Sequence, residues 1–206
     1  ALICDGSEPD EILNVISTHK VFDTFVWRRP VGGFFSLEPL KKMLQKKLKH
    51  QLIEELPVPL HIAVTNFATG KQKIFSEGPI IPAVMAACSI PLVFPPMVID
   101  GVPYVDGGLS NNLPVEPLVQ EYTNIIGVHV NPLADYNPKA GFLKRIDRTM
   151  HLAIRDAVMR SKEFCALFIE PPSLYNFGLF DVKKGREMAE IGYQFTNELL
   201  KNNRIY

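Results

Sequence analysis

The sequence predicts an α/β fold with a mostly parallel sheet and helices on both faces. Three observations predict it. Short β-branched apolar runs, LHIAVTNFA (60–68), NIIGVHVNP (124–132) and CALFIEPP (165–172), read as strands buried on both faces. Helical patterns alternate with them along the chain. The 206 residues are 47% hydrophobic and 21% charged, enough for one domain with a real core.

The elements follow in order. ALIC is helix-like without a cap, and DGSEPDEILNVI begins a fresh helix with Ser7 or Asp10 near its cap. An uncapped start is expected where a domain opens partway through a helix. VFDTFVWRRPVGGFF (21–35) gathers five aromatics around two arginines. SLEPLKKMLQKKLKHQL (36–52) then starts at a Ser cap and repeats Leu37, Leu40, Leu44 and Leu48 at helical spacing. An aromatic loop before a basic amphipathic helix suits a bilayer surface; the same residues also suit a core cover with solvated lysines.

Gly78–Ile99 carries no charge and is long enough to cross a bilayer. Its five prolines remove too many backbone donors for a spanning helix, so helix fragments and turns under the core are expected. PVEPLVQEY (114–122) places Pro in a first turn. DRTMHLAIRDAVMRSKEF (147–164) and KKGREMAEIGYQFTNELLKN (183–202) read as longer helices.

The formal net charge is zero, so no field exists to hold nucleic acid. Cys4, Cys88 and Cys165 are odd in number and far apart, which predicts three buried thiols in a reducing, cytoplasmic setting. The opening lacks the basic region of a signal peptide.

Few residues offer chemistry. The five histidines are scattered, with no metal-ligand spacing, so no metal is expected; His50 reads as solvated, His61 and His129 as structural. No glycine-rich phosphate loop is present, and no cofactor is expected. G-x-S-x-G does not occur. Ser89 lacks the glycine that a nucleophile elbow needs, and Cys88 has no basic neighbour to activate it. The stretch YVDGGLSNNLPV (104–115) remains. Asp106 with Gly107 and Gly108 is either a plain tight turn using glycine's left-handed freedom, or a carboxylate presented at a strand end where ligands gather.

The run AVMAACSIPLVFPPMVIDGVPYVDGGLSNNLPVEPL resembles the second half of the patatin-like phospholipase family, most closely its bacterial type. The shared features are the small residues Ala86–Ser89, then Pro91, Phe94-Pro95-Pro96, Asp100-Gly101, Asp106-Gly107-Gly108, Asn112 and Pro114. AVTNFATGKQKIF resembles the family's preceding hairpin, and the last two helices its closing ones. Met85 and Leu92 depart from it: the family often has an arginine and a small residue there.

The resemblance implies a three-layer α/β/α fold with a mostly parallel central sheet, here as a single domain over 1–206 that is N-terminally incomplete. It implies a serine-dependent lipid acyl hydrolase (phospholipase A, lysophospholipase or esterase) working through a Ser–Asp dyad. Asp106 is then the proton acceptor and Gly107 and Gly108 its supporting turn. The family's serine elbow and glycine-rich oxyanion loop do not occur in this chain. By the resemblance, Ala1 falls on the order of five residues past the missing elbow. This chain by itself is therefore expected to be inactive. The expected partners are a lipid or acyl-ester substrate, a peripheral membrane contact and the missing N-terminal segment as a separate piece. The alternative is a non-catalytic binding or regulatory protein that kept the fold and lost the chemistry.

Overall fold

The computed structural model describes residues 1–18, 35–133, 135, 136, 138, 141–178 and 181–203. They form two compact units, Ala1–Asn111 and Asn112–Tyr206.

In the first unit, residues 1–6 make one helical turn, with the Asp5 N–H donating to the Ala1 carbonyl at 2.9 Å. Helix α1 (Pro9–Thr18) follows, with Pro9 at its first position and Asp10 and Glu11 in its first turn. Helix α2 (Glu38–Lys47) is capped from two residues upstream: the Glu38 N–H donates to Ser36 Oγ at 3.2 Å. It buries Leu40, Met43 and Leu44. It stops short of residue 52 because Leu48 is extended (φ −71°, ψ 135°).

Strands β1 (Ile62–Asn66), β2 (Gln72–Phe75), β3 (Met97–Ile99) and β4 (Val102–Asp106) form one sheet in the order β2-β1-β4-β3. All three pairings are antiparallel, so this sheet is not the mostly parallel one expected. Connection length is the reason for the β1–β2 and β3–β4 pairings. Parallel neighbours need a crossover of a dozen residues or more, whereas two residues join β3 to β4 and the Asn66 turn joins β1 to β2. There the Asn66 side chain accepts from the N–H groups of Ala68 and Thr69, and Gly70 has φ +71°. Between β3 and β4, Asp100 (φ 50°) and Gly101 (φ 77°) are both left-handed, as a two-residue hairpin turn requires.

Helix α3 (Ile80–Ala87) lies inside the uncharged stretch and buries Ile80, Ala83, Met85 and Ala86. Pro82 falls in its first turn, where no intrahelical donor is needed. The helix belongs to two apolar clusters: one with α2, the other with Val64 and Ile62 of β1.

In the second unit, α4 (Glu116–Val119) precedes β5 (Ile126–Val128), α5 (Phe142–Lys162), β6 (Leu167–Ile169) and α6 (Gly185–Asn203). Strands β5 and β6 pair in parallel across the α5 crossover, as the alternating pattern predicts. Leu113, Val115, Ile125 and Val158 form the core. Strand β5 is buried on one face only: Gly127 is inside, while Ile126 and Val128 are exposed.

Candidate active site

Asp106 is the last residue of β4, paired with Val64 of β1. Its backbone is held on both sides. The N–H donates to the Ser89 carbonyl at 3.0 Å, just past the end of α3. The carbonyl accepts from Thr65 Oγ1 at 2.9 Å. The carboxylate turns back on its own loop, where Oδ1 accepts the Gly108 N–H at 2.7 Å. Oδ2 has no hydrogen-bond partner among the described residues. Burial raises the Asp106 carboxyl above the ordinary aspartate range, and the Gly108 N–H only partly offsets this. A half-buried carboxylate with one unengaged oxygen and a raised pKa can take a proton from a hydroxyl or water that reaches it.

The glycines do not work as the plain-turn reading supposes. Asp106 has φ −44° and ψ 131°, and the residues with positive φ among those described include neither Gly107 nor Gly108. Gly107–Leu109 is a single 3₁₀ turn. Gly107 is required by contact: a Cβ there would sit 2.3 Å from the Ala63 carbonyl oxygen. The turn thus packs directly on the β1 backbone, and Gly108 supplies the N–H that orients the carboxylate.

The other residues singled out in the sequence fall into structural roles. Ser89 is buried, and its hydroxyl donates to the Met85 carbonyl at 2.8 Å. Cys88 is pushed up to about 11 by burial and by the nearby Asp106, which keeps it a thiol. All three cysteines are free and half-buried. His129 is buried, with Nδ1 on Glu170 at 2.8 Å and Nε2 against the Asn112 side-chain amide at 3.1 Å. Glu170 is also held bidentately by Arg155. His50 is not simply solvated: its Nδ1 pairs with the buried Asp5 carboxylate, which also accepts the Lys49 N–H.

Phe25, Trp27 and Phe34 of the aromatic loop lie outside the described residues. Lys42 and Lys46 are exposed, and Lys47 pairs with Glu11 at 3.0 Å. Among the described residues, no helix is long and apolar enough to cross a membrane.

Thr65 and Ser110 went unremarked in the sequence. Thr65 stands in the T-N pair of the β1 hairpin, but its bond to Asp106 depends on the β1–β4 register, which no local pattern encodes.

The described residues thus present an aspartate that ends a strand in a D-G-G turn, seated on a neighbouring strand and tied to a small-residue helix. The sequence model of the patatin-like phospholipase family matches residues 2–119, more than half of the chain, and the chain belongs to that family. An uncharacterised NTE family protein of Mycobacterium tuberculosis is 33% identical over 105 residues, covering 47% of this chain and 29% of that protein. Lysophospholipase NTE1 of Kluyveromyces lactis is 23% identical over 212 residues, covering 90% of this chain and 15% of its own length. Lysophospholipase NTE1 of Coccidioides immitis is 24% identical over 197 residues, covering 83% and 12%. The chain thus spans less than a third of the length of each of these relatives.

Proposed function

We propose that the protein containing this chain is a serine-dependent lipid acyl hydrolase acting on phospholipid, lysophospholipid or a related acyl ester, with Asp106 as its proton acceptor. The observation that carries this reading is the Asp106 carboxylate, desolvated and fixed through Oδ1, with Oδ2 unengaged among the described residues. Family membership and the two lysophospholipase relatives support the substrate class.

The serine belongs to a segment not encoded here. Residues 1–206 are, in this reading, the larger C-terminal part of one three-layer patatin-like domain. In the first half-reaction the serine proton passes to Asp106 as Oγ bonds to the acyl carbon. The tetrahedral adduct collapses, the acyl–oxygen bond breaks, and the leaving alcohol recovers the proton from Asp106. Water then gives its proton to Asp106, attacks the acyl-serine and releases the fatty acid, and the serine is reprotonated.

Asp106→Asn keeps the acceptor for the Gly108 N–H and removes the base. In the full-length protein it should lower lysophospholipid turnover by about 10²–10⁴-fold with the fold intact. Near-normal turnover in folded Asp106→Asn protein would remove Asp106 from the mechanism. An inactive wild type without a G-x-S-x-G serine would favour the binding or regulatory reading, which the absence of that motif from these residues keeps in view.

Peripheral membrane contact from the cytoplasmic side, through Phe25, Trp27 and Phe34 beside Lys41, Lys42, Lys46 and Lys47, completes the proposal; Phe35, expected with them, instead packs on the core, edge-on to Phe94 at 6.5 Å. Exposed Lys42 and Lys46 support it. Flotation with anionic liposomes should weaken in Trp27→Ala; equal recovery of variant and wild type would return the aromatic loop to a purely structural role.

A further inference from the structure

We propose that Thr65, supported by Ser110, is a positioning residue for Asp106. This rests on the reading of Asp106 as the base. Thr65 is 1% exposed, directly after the apolar run Ile62-Ala63-Val64 of β1. Its single hydroxyl hydrogen goes to the Asp106 carbonyl at 2.9 Å. Its Oγ1 then has lone pairs to offer Ser110 Oγ, also at 2.9 Å, and the Ser110 hydroxyl lies 3.2 Å from the Gly107 carbonyl. Two hydroxyls therefore tie both ends of the Asp106–Ser110 turn to β1.

Geometry makes the tie consequential. Asp106 stands where the β1–β4 ladder ends, and its backbone N–H and carbonyl are bonded to Ser89 and Thr65. Ser89 fixes one side of its peptide frame and Thr65 the other. The carboxylate direction is then set by one remaining bond, from Gly108. Without the Thr65 hydroxyl, the carbonyl loses a buried donor and the frame can rotate, carrying Oδ2 with it. Threonine suits the task because its β-branch restricts χ1, so the hydroxyl is aimed before the turn docks.

The test uses Thr65→Val, which keeps shape and deletes the hydroxyl, and Thr65→Ser, which keeps the hydroxyl. In the full-length protein, Thr65→Val should lower kcat by about 10- to 100-fold with KM nearly unchanged, since misplacing a reacting group by an ångström costs about that much. Thr65→Ser should recover most of it. A second arm needs no catalysis: in the full-length protein, the Gly108 amide should exchange about tenfold faster in Thr65→Val and return toward wild type in Thr65→Ser, while the amides of β1 and β4 hold. Wild-type kcat with wild-type Gly108 exchange in Thr65→Val overturns the proposal, as does a Thr65→Ser no better than Thr65→Val. If Thr65→Val does not fold, Ser110→Ala decides: faster Gly108 exchange supports the brace and unchanged exchange overturns it. Loss of turnover in Asp106→Asn with none in Thr65→Val would sink the brace alone. Normal turnover in Asp106→Asn, with Gly108 exchange still altered in Thr65→Val, would sink the catalytic reading and leave the brace standing.

Discussion

Asp100 and Asp106 each precede a glycine, six residues apart, and the backbone uses them differently. Asp100-Gly101 is a hairpin turn with both residues left-handed. Asp106 keeps an extended backbone at a strand end and spends its side chain on Gly108. Holding a carboxylate where burial disfavours its charge works against the fold. Asp106→Asn should therefore raise stability by about 0.5–1 kcal/mol at pH 7. The sign follows from the raised pKa. The folded protein binds this proton more tightly than the unfolded chain, a contribution present at low pH and lost as pH rises through the folded value. The gain of the Asn variant should thus fade as pH falls and Asp106 itself becomes neutral, which thermal melts across pH would show. Leu92 carries strain of another kind. It has φ 69° and is 78% exposed, so its side chain gains little from burial while its backbone sits where only glycine is comfortable. Leu92→Gly should stabilise by about 1 kcal/mol, read from a denaturant midpoint at unchanged slope. That position was legible in the sequence only as a departure from a small residue; the left-handed backbone that explains it was not.

At the scale of elements, the runs that became β1, β5 and β6, and the long helices α5 and α6, were legible because periodicity is local. The β1 hairpin followed from the family pattern, and its antiparallel sheet did not, because pairing direction depends on which strands meet. Helix α2 ended early for a similar reason: its leucine spacing continues past Lys47, but Lys49 and His50 are drawn to Asp5 in the first turn of the chain. Asp5 is 2% exposed. Burial alone would raise its carboxyl, yet the His50 side chain and the Lys49 N–H together outweigh that and hold it below the ordinary range. A lowered pKa stabilises above the unfolded value, about 3.9, and the stabilisation is lost as pH falls through the folded one. Asp5→Asn should cost about 1.5–3 kcal/mol at pH 7. The difference from wild type should shrink below about pH 4, and a stability profile that stays parallel to wild type down to acid would show that the Asp5 charge carries none of it.

At the scale of the whole molecule, the described residues build three apolar clusters. Two lie in the first unit and share α3, one with α2 and one with β1; the third, in the second unit, centres on Val158 of α5 with Leu113, Val115 and Ile125. Val158 is fully buried. Val158→Ala should cost about 1–3 kcal/mol. Hydrogen exchange should show that loss first in β5, β6 and α5, with β1 and β4 retaining more protection; equal loss in both units would mean that they unfold as one. The family match runs over residues 2–119 and so takes in the first unit from Leu2 onward, with the D-G-G turn near that unit's end, and the start of the second. The candidate base was legible because its motif is ordered along the chain. Its support was not, since Thr65 and Ser89 reach Asp106, and Thr65 reaches Ser110, only after the strands have paired.

Gly107 also constrains how this lineage can change. Every other amino acid brings a Cβ to within 2.3 Å of the Ala63 carbonyl oxygen, and that oxygen belongs to β1, which is paired on both sides. Folding therefore guards Gly107 whatever the chemistry. On the reading of Asp106 as the base, a descendant that gave up hydrolysis would lose the reason to keep the carboxylate's charge and still be bound to keep the glycine. Gene copies with Gly at 107 and another residue at 106 would, on that reading, mark lapsed activity, and the two adjacent codons would keep separate clocks, one for the architecture and one for the chemistry.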